Sequence, residues 1–275
     1  MFQPSAKIIA DSINEQGYRL TTFVLTYHRF IHAEMMTYRV WSRNAQSSRA
    51  IPVEKNIEHV EDLELYPMHW GANQKGMQAY SEISLADQEL AKWAWDEARE
   101  ACVRSAKSLV KLGVHKQVVN RLLEPFSTIT TIVTSTDFTN FFMQRCHPSA
   151  QPEIQVLAKY MEIEYNNSQP QQHHSKYSWH LPFISLEERL QYSEDIKTLI
   201  MIAIGRCARV SYKQHDGSRN VEKDIALHDY LATAQPPHLS PFEHVAKNMG
   251  DSNMYANLQG WKHERWQLEH SVMGG

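Results

Sequence analysis

Two stretches of the chain are rich in β-branched and aromatic residues, as β-strands are. The segment YRLTTFVLTY predicts a strand over Tyr18–Tyr27, and STITTIVTS predicts a strand or an extended buried segment over Ser127–Ser135. The segment QPPHLSPFEHVAKNM (Gln235–Met249) predicts a loop that runs into a further strand.

Helical spacing of apolar residues dominates much of the remaining chain. The clearest helix is predicted over Ile83–Gly113, where Ser84 resembles an N-cap, Leu90 and Trp93 begin the apolar spacing and Gly113 suits the C-terminal end. The segment Ile31–Trp41 predicts a helix that ends in a polar loop, Ser42–Pro52. Further helices are predicted over His115–Leu123, Asp137–His147, Ala150–Tyr165, Ser185–Tyr212 and Lys223–Ala234.

The organisation of the chain favours a single domain. The segment Asn166–Pro182 is polar and contains prolines, so we interpret it as a loop excursion between two halves. There is no internal repeat and no low-complexity tract. We therefore predict one α+β (or α/β) domain over residues 1–275, with a central sheet flanked by helices.

Composition excludes several classes of protein. A hydrophobic fraction of 42% argues against disorder, and no apolar run approaches the roughly 20 residues that span a bilayer. The N-terminus lacks the pattern of a signal peptide, and Cys102, Cys146 and Cys207 suggest neither disulfides nor a metal site. We expect a cytoplasmic protein with no membrane partner. A net charge of −3 argues against general nucleic-acid binding, so any phosphate recognition should be local.

A local concentration of positive charge lies in MTYRVWSRNAQSSRAIP (Met36–Pro52). Arg39, Arg43 and Arg49 occur there without an interleaved carboxylate, and Ser47 and Ser48 precede the last arginine. A guanidinium beside hydroxyls and free backbone N–H groups suits a phosphate monoester. The alternative is a solvated loop with ordinary surface arginines.

Four further residues invite chemical interpretations. His238 and His244 flank HLSPFEH, but their spacing favours a turn that lines a ligand site over a metal site, and we predict no metal. Cys146 adjoins a histidine, yet most lone cysteines are small buried hydrophobes rather than nucleophiles. Arg145 ends an apolar helix, where burial would require an anionic or carbonyl partner.

Taken together, these segments resemble the flavin-dependent thymidylate synthases, the ThyX family. The family hallmark is Arg-His-Arg-x-x-Ser-x-Asn-x-x-Ser-x-Arg, and this chain has Thr37-Tyr38-Arg39-x-x-Ser42-x-Asn44-x-x-Ser47-x-Arg49. Four more segments resemble the family: NRLLEP with Arg121, NFFMQRCHPSAQPEI with Asn140, Arg145 and Gln151, ARVSY (Ala208–Tyr212) and HLSPFEH (His238–His244). The last two follow the arginine hallmark instead of preceding it, which resembles a circular permutation of a divergent branch associated with bacteriophages.

The resemblance implies an enzyme that methylates dUMP reductively to dTMP. Such enzymes are homotetramers that bind FAD, dUMP, a methylene-tetrahydrofolate and NADPH, and they use no cysteine nucleophile on the base. If the chain is phage-encoded, it would act in the host cytoplasm. The implied substrate-binding residues are Glu34, Ser47, Ser48, Arg49, Arg121 and Arg145, of which Arg145 would also be catalytic by stabilising charge on the pyrimidine. The implied cofactor-binding residues are Tyr38, Arg39, Asn44, Asn140, Ser211, His238 and Ser240.

Two departures from the hallmark leave alternatives open. Thr37-Tyr38 replaces the leading Arg-His, and Glu34 stands where a neutral amide is common in the family. On the predicted helix Glu34 and Tyr38 share a face, so we expect Glu34 to bond to Tyr38 or to a neighbouring arginine. This expectation favours dUMP over dCMP. A methylase or hydroxymethylase of another pyrimidine deoxynucleotide, a non-catalytic nucleotide- or flavin-binding relative, and an unrelated helical scaffold remain the alternatives.

Overall fold

The computed structural model describes residues 2–212 and 220–272; Met1, 213–219 and 273–275 of the predicted domain lie outside the described residues. The strands are β1 Ser5–Asn14, β2 Arg19–His28, β3 Ser42–Ala45, β4 Thr128–Ser135, β5 Gln171–His173, β6 Trp179–His180, β7 Ala246–Asn248, β8 Met254–Tyr255, β9 Leu258–Gln259 and β10 Trp261–His263. The α-helices are α1 His32–Met35, α2 Val53–Asp62, α3 Leu85–Lys111, α4 Lys116–Val119, α5 Thr139–Arg145, α6 Pro152–Asn167, α7 Leu186–Gln191, α8 Ile196–Arg209, α9 Val221–Thr233 and α10 Glu264–Val272. Short 3-10 helices cover Arg29–Ile31, Asn120–Phe126, Val210–Tyr212 and Ser240–Glu243.

A five-stranded mixed sheet forms the centre of the molecule, in the order β3-β4-β2-β1-β5. Neighbouring strands are antiparallel except for β1 and β5, which are parallel. A second sheet has the order β10-β7-β6, and β8 pairs with β9. The predicted α+β class with a central sheet flanked by helices is confirmed.

The central strands are buried on both faces of the sheet. Because side chains alternate along a strand, successive residues pack against different helices on the two faces. On one face Phe23, Leu25 and Ile129 join the core formed with α5 and α6. On the opposite face Val24 and Ile132 pack with Cys207 and Val210, at the end of α8 and in the turn that follows it. The sheet therefore lies between the two groups of helices.

A buried chain of hydroxyls and imidazoles connects the two sheets. His180 on β6 bonds to Ser12 Oγ (2.8 Å) and to Thr22 Oγ1 (2.7 Å) of the central sheet. Thr22 bonds in turn to Thr134 (2.7 Å), and Thr134 bonds to His244 Nδ1 (2.8 Å). Burial lowers the pKa of both histidines, so their rings are neutral at pH 7 and add no buried charge to this connection.

Helices α8 and α9 are joined by buried ion pairs. Asp224 is fully buried, 3.0 Å from Arg206 Nε and 2.8 Å from Arg209 Nε. Arg206 also binds Glu188 on α7 through both terminal nitrogens (2.8 and 2.6 Å). The helices approach closely because Gly205 has no side chain; a Cβ there would overlap the backbone carbonyl of Asp224.

Several predicted elements are confirmed within a few residues. Strands β2 and β4 match the predicted strands, and α5, α6 and α9 match predicted helices. Ser84 caps α3 by accepting a hydrogen bond from the Asp87 backbone N–H, as its spacing predicted. Leu90 and Trp93 are exposed, however, and α3 packs instead through Val103 and Ala106 against α2 and the 3-10 turn Asn120–Phe126.

Other predicted boundaries are wrong. The helix predicted over Ile31–Trp41 ends at Met35, because Tyr38 and Trp41 turn inward to pack on Phe141. Part of the predicted loop Ser42–Pro52 is strand β3, and the helix predicted over His115–Leu123 is α-helical only over Lys116–Val119 and continues as a 3-10 helix over Asn120–Phe126. The polar segment Asn166–Pro182 contains β5 and β6, which the sequence pattern did not indicate. Among the described residues, no helix combines the length and apolar character needed to cross a membrane.

We predict that Asp224→Ala lowers the free energy of unfolding by about 3–5 kcal/mol, because it leaves buried arginines without their shared carboxylate. Urea unfolding followed by circular dichroism measures the change. Asp229→Ala on the same helix is the control: its side chain is exposed, and the expected change is within about 0.5 kcal/mol. Equal losses in the two variants would contradict a stabilising role for the buried ion pairs.

Candidate functional site

The segment Met36–Pro52, called the arginine segment below, runs along one edge of the central sheet. Strand β3 pairs with β4 so that Ser42 lies opposite Thr134 and Asn44 opposite Ile132. Ser42 and Asn44 point inward and are buried, whereas Arg43 between them is only half-buried. The backbone pairing therefore fixes which side chains of the segment reach solvent.

Asn44 joins this edge strand to the distant ARVSY segment. Its Nδ2 donates to the Cys207 carbonyl (2.9 Å), and its Oδ1 accepts from Ser211 Oγ (2.8 Å). The Ser47 backbone N–H also donates to the Ser211 carbonyl (3.2 Å). Asn44 and Ser211, both predicted to contact the cofactor, are thus engaged with each other.

The turn after β3 carries the predicted phosphate-binding residues. Asn120, fully buried, donates through Nδ2 to the carbonyls of Ser48 (2.7 Å) and Ile51 (3.0 Å). Within the described structure Ser48 Oγ is buried without a hydrogen-bond partner, and Arg49 is exposed with no ion pair. Asn120 was missed by the sequence analysis, although its neighbour Arg121 was included.

A positive electrostatic environment surrounds the start of the segment. Burial lowers the pKa of the His32 imidazole, and the charges of the nearby Arg29 and Arg43 lower it further. Glu124 offsets part of this charge by pairing with Arg29 (3.0 Å) and Arg121 (2.8 Å). An anion would be favoured beside these groups.

Tyr38 connects the arginine segment to α5. Its ring is buried between Trp41 and Phe141, each with its ring centroid 4.9 Å away. Its hydroxyl accepts a hydrogen bond from Arg145 Nε (2.9 Å) and donates to Gln144 Oε1 (3.2 Å). Arg145 is half-buried, its Nε donates to a tyrosine hydroxyl, and no hydrogen bond from its terminal nitrogens occurs among the described residues.

The prediction that Glu34 bonds to Tyr38 or to a neighbouring arginine is wrong. Tyr38 bonds to Arg145 and Gln144, and Arg43 donates to the carbonyls of Met36 (2.6 Å) and Tyr38 (3.1 Å). Because the helix ends at Met35, Glu34 and Tyr38 do not share a helical face. Glu34 Oε2 is buried and has no hydrogen-bond partner among residues 2–212 and 220–272.

The remaining predicted cofactor residues present polar groups at the surface. Arg39 lines a cleft of about 420 Å³ together with Arg43, Asn257 and Arg265. Arg265 pairs with both Glu243 (2.6 Å) and Glu269 (2.7 Å), which also line the cleft, so the arginines of the cleft exceed its carboxylates by one positive charge. Asn140 and His238 are exposed, and Ser240 is half-buried at the start of a 3-10 turn.

The two histidines of HLSPFEH have different environments. His238 is exposed, whereas His244 is fully buried, and burial lowers the pKa of its imidazole to about 3. In the described part of the chain no three metal-binding side chains group together.

The Cys146 thiol is poorly suited to nucleophilic attack. Burial and the nearby Glu162 raise its pKa to about 11, so it is almost entirely protonated at pH 7.

The family of the chain follows from its sequence. The profile of the family described as "Thymidylate synthase complementing protein" matches residues 18–171, which is more than half of the chain and includes the arginine segment. The chain belongs to this family, ThyX. It is accordingly a thymidylate synthase-like methyltransferase, as the resemblance implied.

A solved structure supports this fold. A UMP/dUMP methylase, PolB from Streptomyces cacaoi bound with 5-Br dUMP, is 15% identical, with a TM-score of 0.50 over 60% of this chain and 90% of that chain. The same protein bound with 5-Br UMP gives a TM-score of 0.48 at 15% identity, over 60% of this chain and 89% of that chain. No curated protein sequence matches the chain significantly.

We predict that Cys146→Ala retains methyltransferase turnover within about two-fold, because a protonated, half-buried thiol is not an effective nucleophile. Turnover is measured at saturating substrate, with Cys102→Ala, also half-buried, as the matched control. A folded Cys146→Ala protein without activity would instead indicate a covalent cysteine mechanism.

Proposed function

We propose that this protein is a flavin-dependent thymidylate synthase that methylates dUMP to dTMP with a methylene-tetrahydrofolate and NADPH. The observation that carries the proposal is the turn Ser47–Ile51. Asn120 holds it so that the unpartnered Ser48 Oγ and the unpaired Arg49 lie next to each other in the chain. This donor set suits a phosphate monoester such as that of dUMP. Membership of ThyX supports the reaction class.

Arg145 is the residue we assign to the pyrimidine. Tyr38 occupies only its Nε, so the terminal N–H groups remain able to donate to carbonyl oxygens. An arginine held in this way stabilises negative charge that develops on the uracil carbonyls, an electrostatic contribution that needs no reorganisation of the side chain. Arg121, next to Asn120, would add positive charge near the phosphate.

The described residues fit a flavin dinucleotide in chemical type. Arg39 and Arg43, which make no ion pair among the described residues, offer positive charge for phosphates, and Asn140 and His238 are exposed hydrogen-bonding groups. Asn44 and Ser211 would keep the edge strand in place rather than contact the flavin. When bound, reduced flavin supplies the hydride that completes the methyl group. We extend the proposal to a homotetramer and a circularly permuted segment order, on family resemblance.

The proposal is tested by anaerobic reduction of the FAD-loaded protein with NADPH, followed by addition of methylene-tetrahydrofolate with dUMP. Reoxidation of the flavin together with dTMP detected by mass spectrometry is the expected result. A protein that binds no flavin by calorimetry, or that oxidises flavin without forming a methylated nucleotide, would contradict the proposal.

We predict that Arg49→Ala weakens dUMP binding by about 10- to 150-fold, the effect of losing a charge-assisted hydrogen bond worth about 1.5–3 kcal/mol. Flavin affinity should change by less than about three-fold. Calorimetry with each ligand gives both values. Arg104→Ala, an exposed arginine on α3, serves as the control and should alter neither affinity. Equal losses for nucleotide and flavin would argue against the phosphate assignment.

One observation favours a second candidate, a methylase or hydroxymethylase of dCMP. The buried Glu34 Oε2 lacks a donor, and a carboxylate accepts hydrogen bonds only. The 4-amino group of cytosine is such a donor, whereas the 4-carbonyl of uracil is not. If the base lies against Glu34, cytosine is the better match.

Glu34→Gln distinguishes the two substrates. The variant and the native protein are assayed with dUMP and dCMP for flavin oxidation and for product. If Glu34 faces the base, native preference for dCMP should shift toward dUMP in the variant, by about 10-fold or more, because an amide can donate to a carbonyl. Glu54→Gln, exposed on α2, is the matched control. Unchanged preference for dUMP in all three proteins would reject the second candidate.

A further inference from the structure

The three-stranded sheet β10-β7-β6 carries lysines and aromatic rings side by side on one face. Trp179 on β6 is paired with Lys247 on β7, which is paired with Lys262 on β10. Directly paired residues point to the same face of a sheet, so these three side chains form one row. Lys176, Tyr177 and Trp266 extend the row, and we call these six residues the lysine–aromatic face.

The opposite side of the same strands is buried. His180, Ala246 and His263, the neighbours of the row along each strand, are at most 4% exposed. Tyr177 is 51% exposed, and the other rings and lysines of the row are at least partly accessible. The lysine–aromatic face is therefore the outer surface of this sheet.

The lysines rest on the rings. Lys247 Nζ lies 4.2 Å from the ring centroid of Tyr177 and 5.9 Å from that of Trp179. Lys176 lies 5.1 Å from Tyr177, and Lys262 lies 4.9 Å from Trp266. These contacts keep the positive charges at the ring surfaces.

The positive charge of this face is not offset by ion pairs. Within the described ranges Lys176, Lys247 and Lys262 make no salt bridge, although Asp251 is near enough to Lys176 for the lysine charge to contribute to the lowered pKa of Asp251. Glu264 is near enough to Lys247 and Lys262 for their charges to lower its pKa, but burial outweighs them and its pKa is raised. Lys247 and Lys262 moreover stand directly opposite each other, an arrangement that disfavours the sheet. A polyanion would relieve this repulsion.

We propose that the lysine–aromatic face binds single-stranded nucleic acid without strong sequence preference. Phosphates would pair with the three lysines, and bases would stack on Tyr177 and Trp179. An exposed cation–π contact is weaker than the stacking of a base on an aromatic ring, so the lysines can leave the rings for the phosphates. An acidic peptide would match the lysines but would leave the rings unused.

This site is independent of the proposed methylation. Lys262 points outward, whereas the adjacent His263 lines the cleft that contains Arg39 and Arg43. The net charge of −3 means that attraction is confined to this face, so binding should be sensitive to salt.

The test measures fluorescence anisotropy of a labelled oligothymidylate of about 12 residues, titrated with the full-length protein at several salt concentrations. Three phosphate contacts predict a slope of log K against log salt of about −2. Lys247→Gln/Lys262→Gln should reduce the slope to about −0.7 and weaken binding at low salt by at least about 10-fold. Lys247→Arg/Lys262→Arg should keep the native slope.

Lys55→Gln/Lys197→Gln is the matched control, with two exposed lysines on α2 and α8, and should bind as the native protein does. Absence of oligonucleotide binding at low salt would overturn the proposal. An equal loss of oligonucleotide binding in the control variant would also overturn it. So would displacement of the labelled oligonucleotide by dTMP or by duplex DNA at the concentration at which unlabelled single strand displaces it. Failure of the methylation assay would not bear on these outcomes.

Discussion

The two hydrogen bonds of the Asn44 side chain hold together parts of the chain that are far apart in sequence. Asn44 lies in an edge strand that has only one neighbour in its sheet, β4. Its amide reaches from that strand to Cys207 near the end of α8 and to Ser211 in the turn that follows the helix. This connection joins the edge strand to the ARVSY segment, and the hydrogen bond from the Ser47 backbone N–H to the Ser211 carbonyl (3.2 Å) supports it. The turn that carries Ser48 and Arg49 follows this strand and is also held by Asn120.

The arginines of the candidate site differ from those of the helical layer in whether a carboxylate neutralises them. Arg206 and Arg209 in the helical layer are fully matched by Asp224 and Glu188, so their charge serves the packing of helices. Arg49 and Arg39 have no such partners among the described residues, and Arg145 is held by a neutral hydroxyl. The same residue type thus stabilises the fold in one layer and remains free for a ligand in the other.

Local sequence signals predicted the elements that depend on local interactions. The N-cap at Ser84 and the β-branched run of β4 require no knowledge of distant residues, and both were located correctly. The predicted helix over Ile31–Trp41 is too long because Tyr38 and Trp41 pack against Phe141 of α5, a contact between distant parts of the chain. Strand β3 was missed because its polar side chains become compatible with a strand only beside β4 and Asn257. At the site, the arginines were identified from their spacing, but Asn120 carries no signal apart from its position beside Arg121.

The C-terminal segment has a consequence for the solubility of the molecule. Strand β3 leaves one side of its backbone unpaired, and such an edge can recruit strands from other molecules. Asn257, in the β8–β9 turn, reaches over this edge and donates through Nδ2 to the Val40 carbonyl (2.9 Å) and to Ser42 Oγ (3.1 Å). The turn therefore covers the start of the strand with a side chain rather than with another strand. Loss of the Asn257 side chain would leave the start of this edge open to pairing with a strand of another molecule.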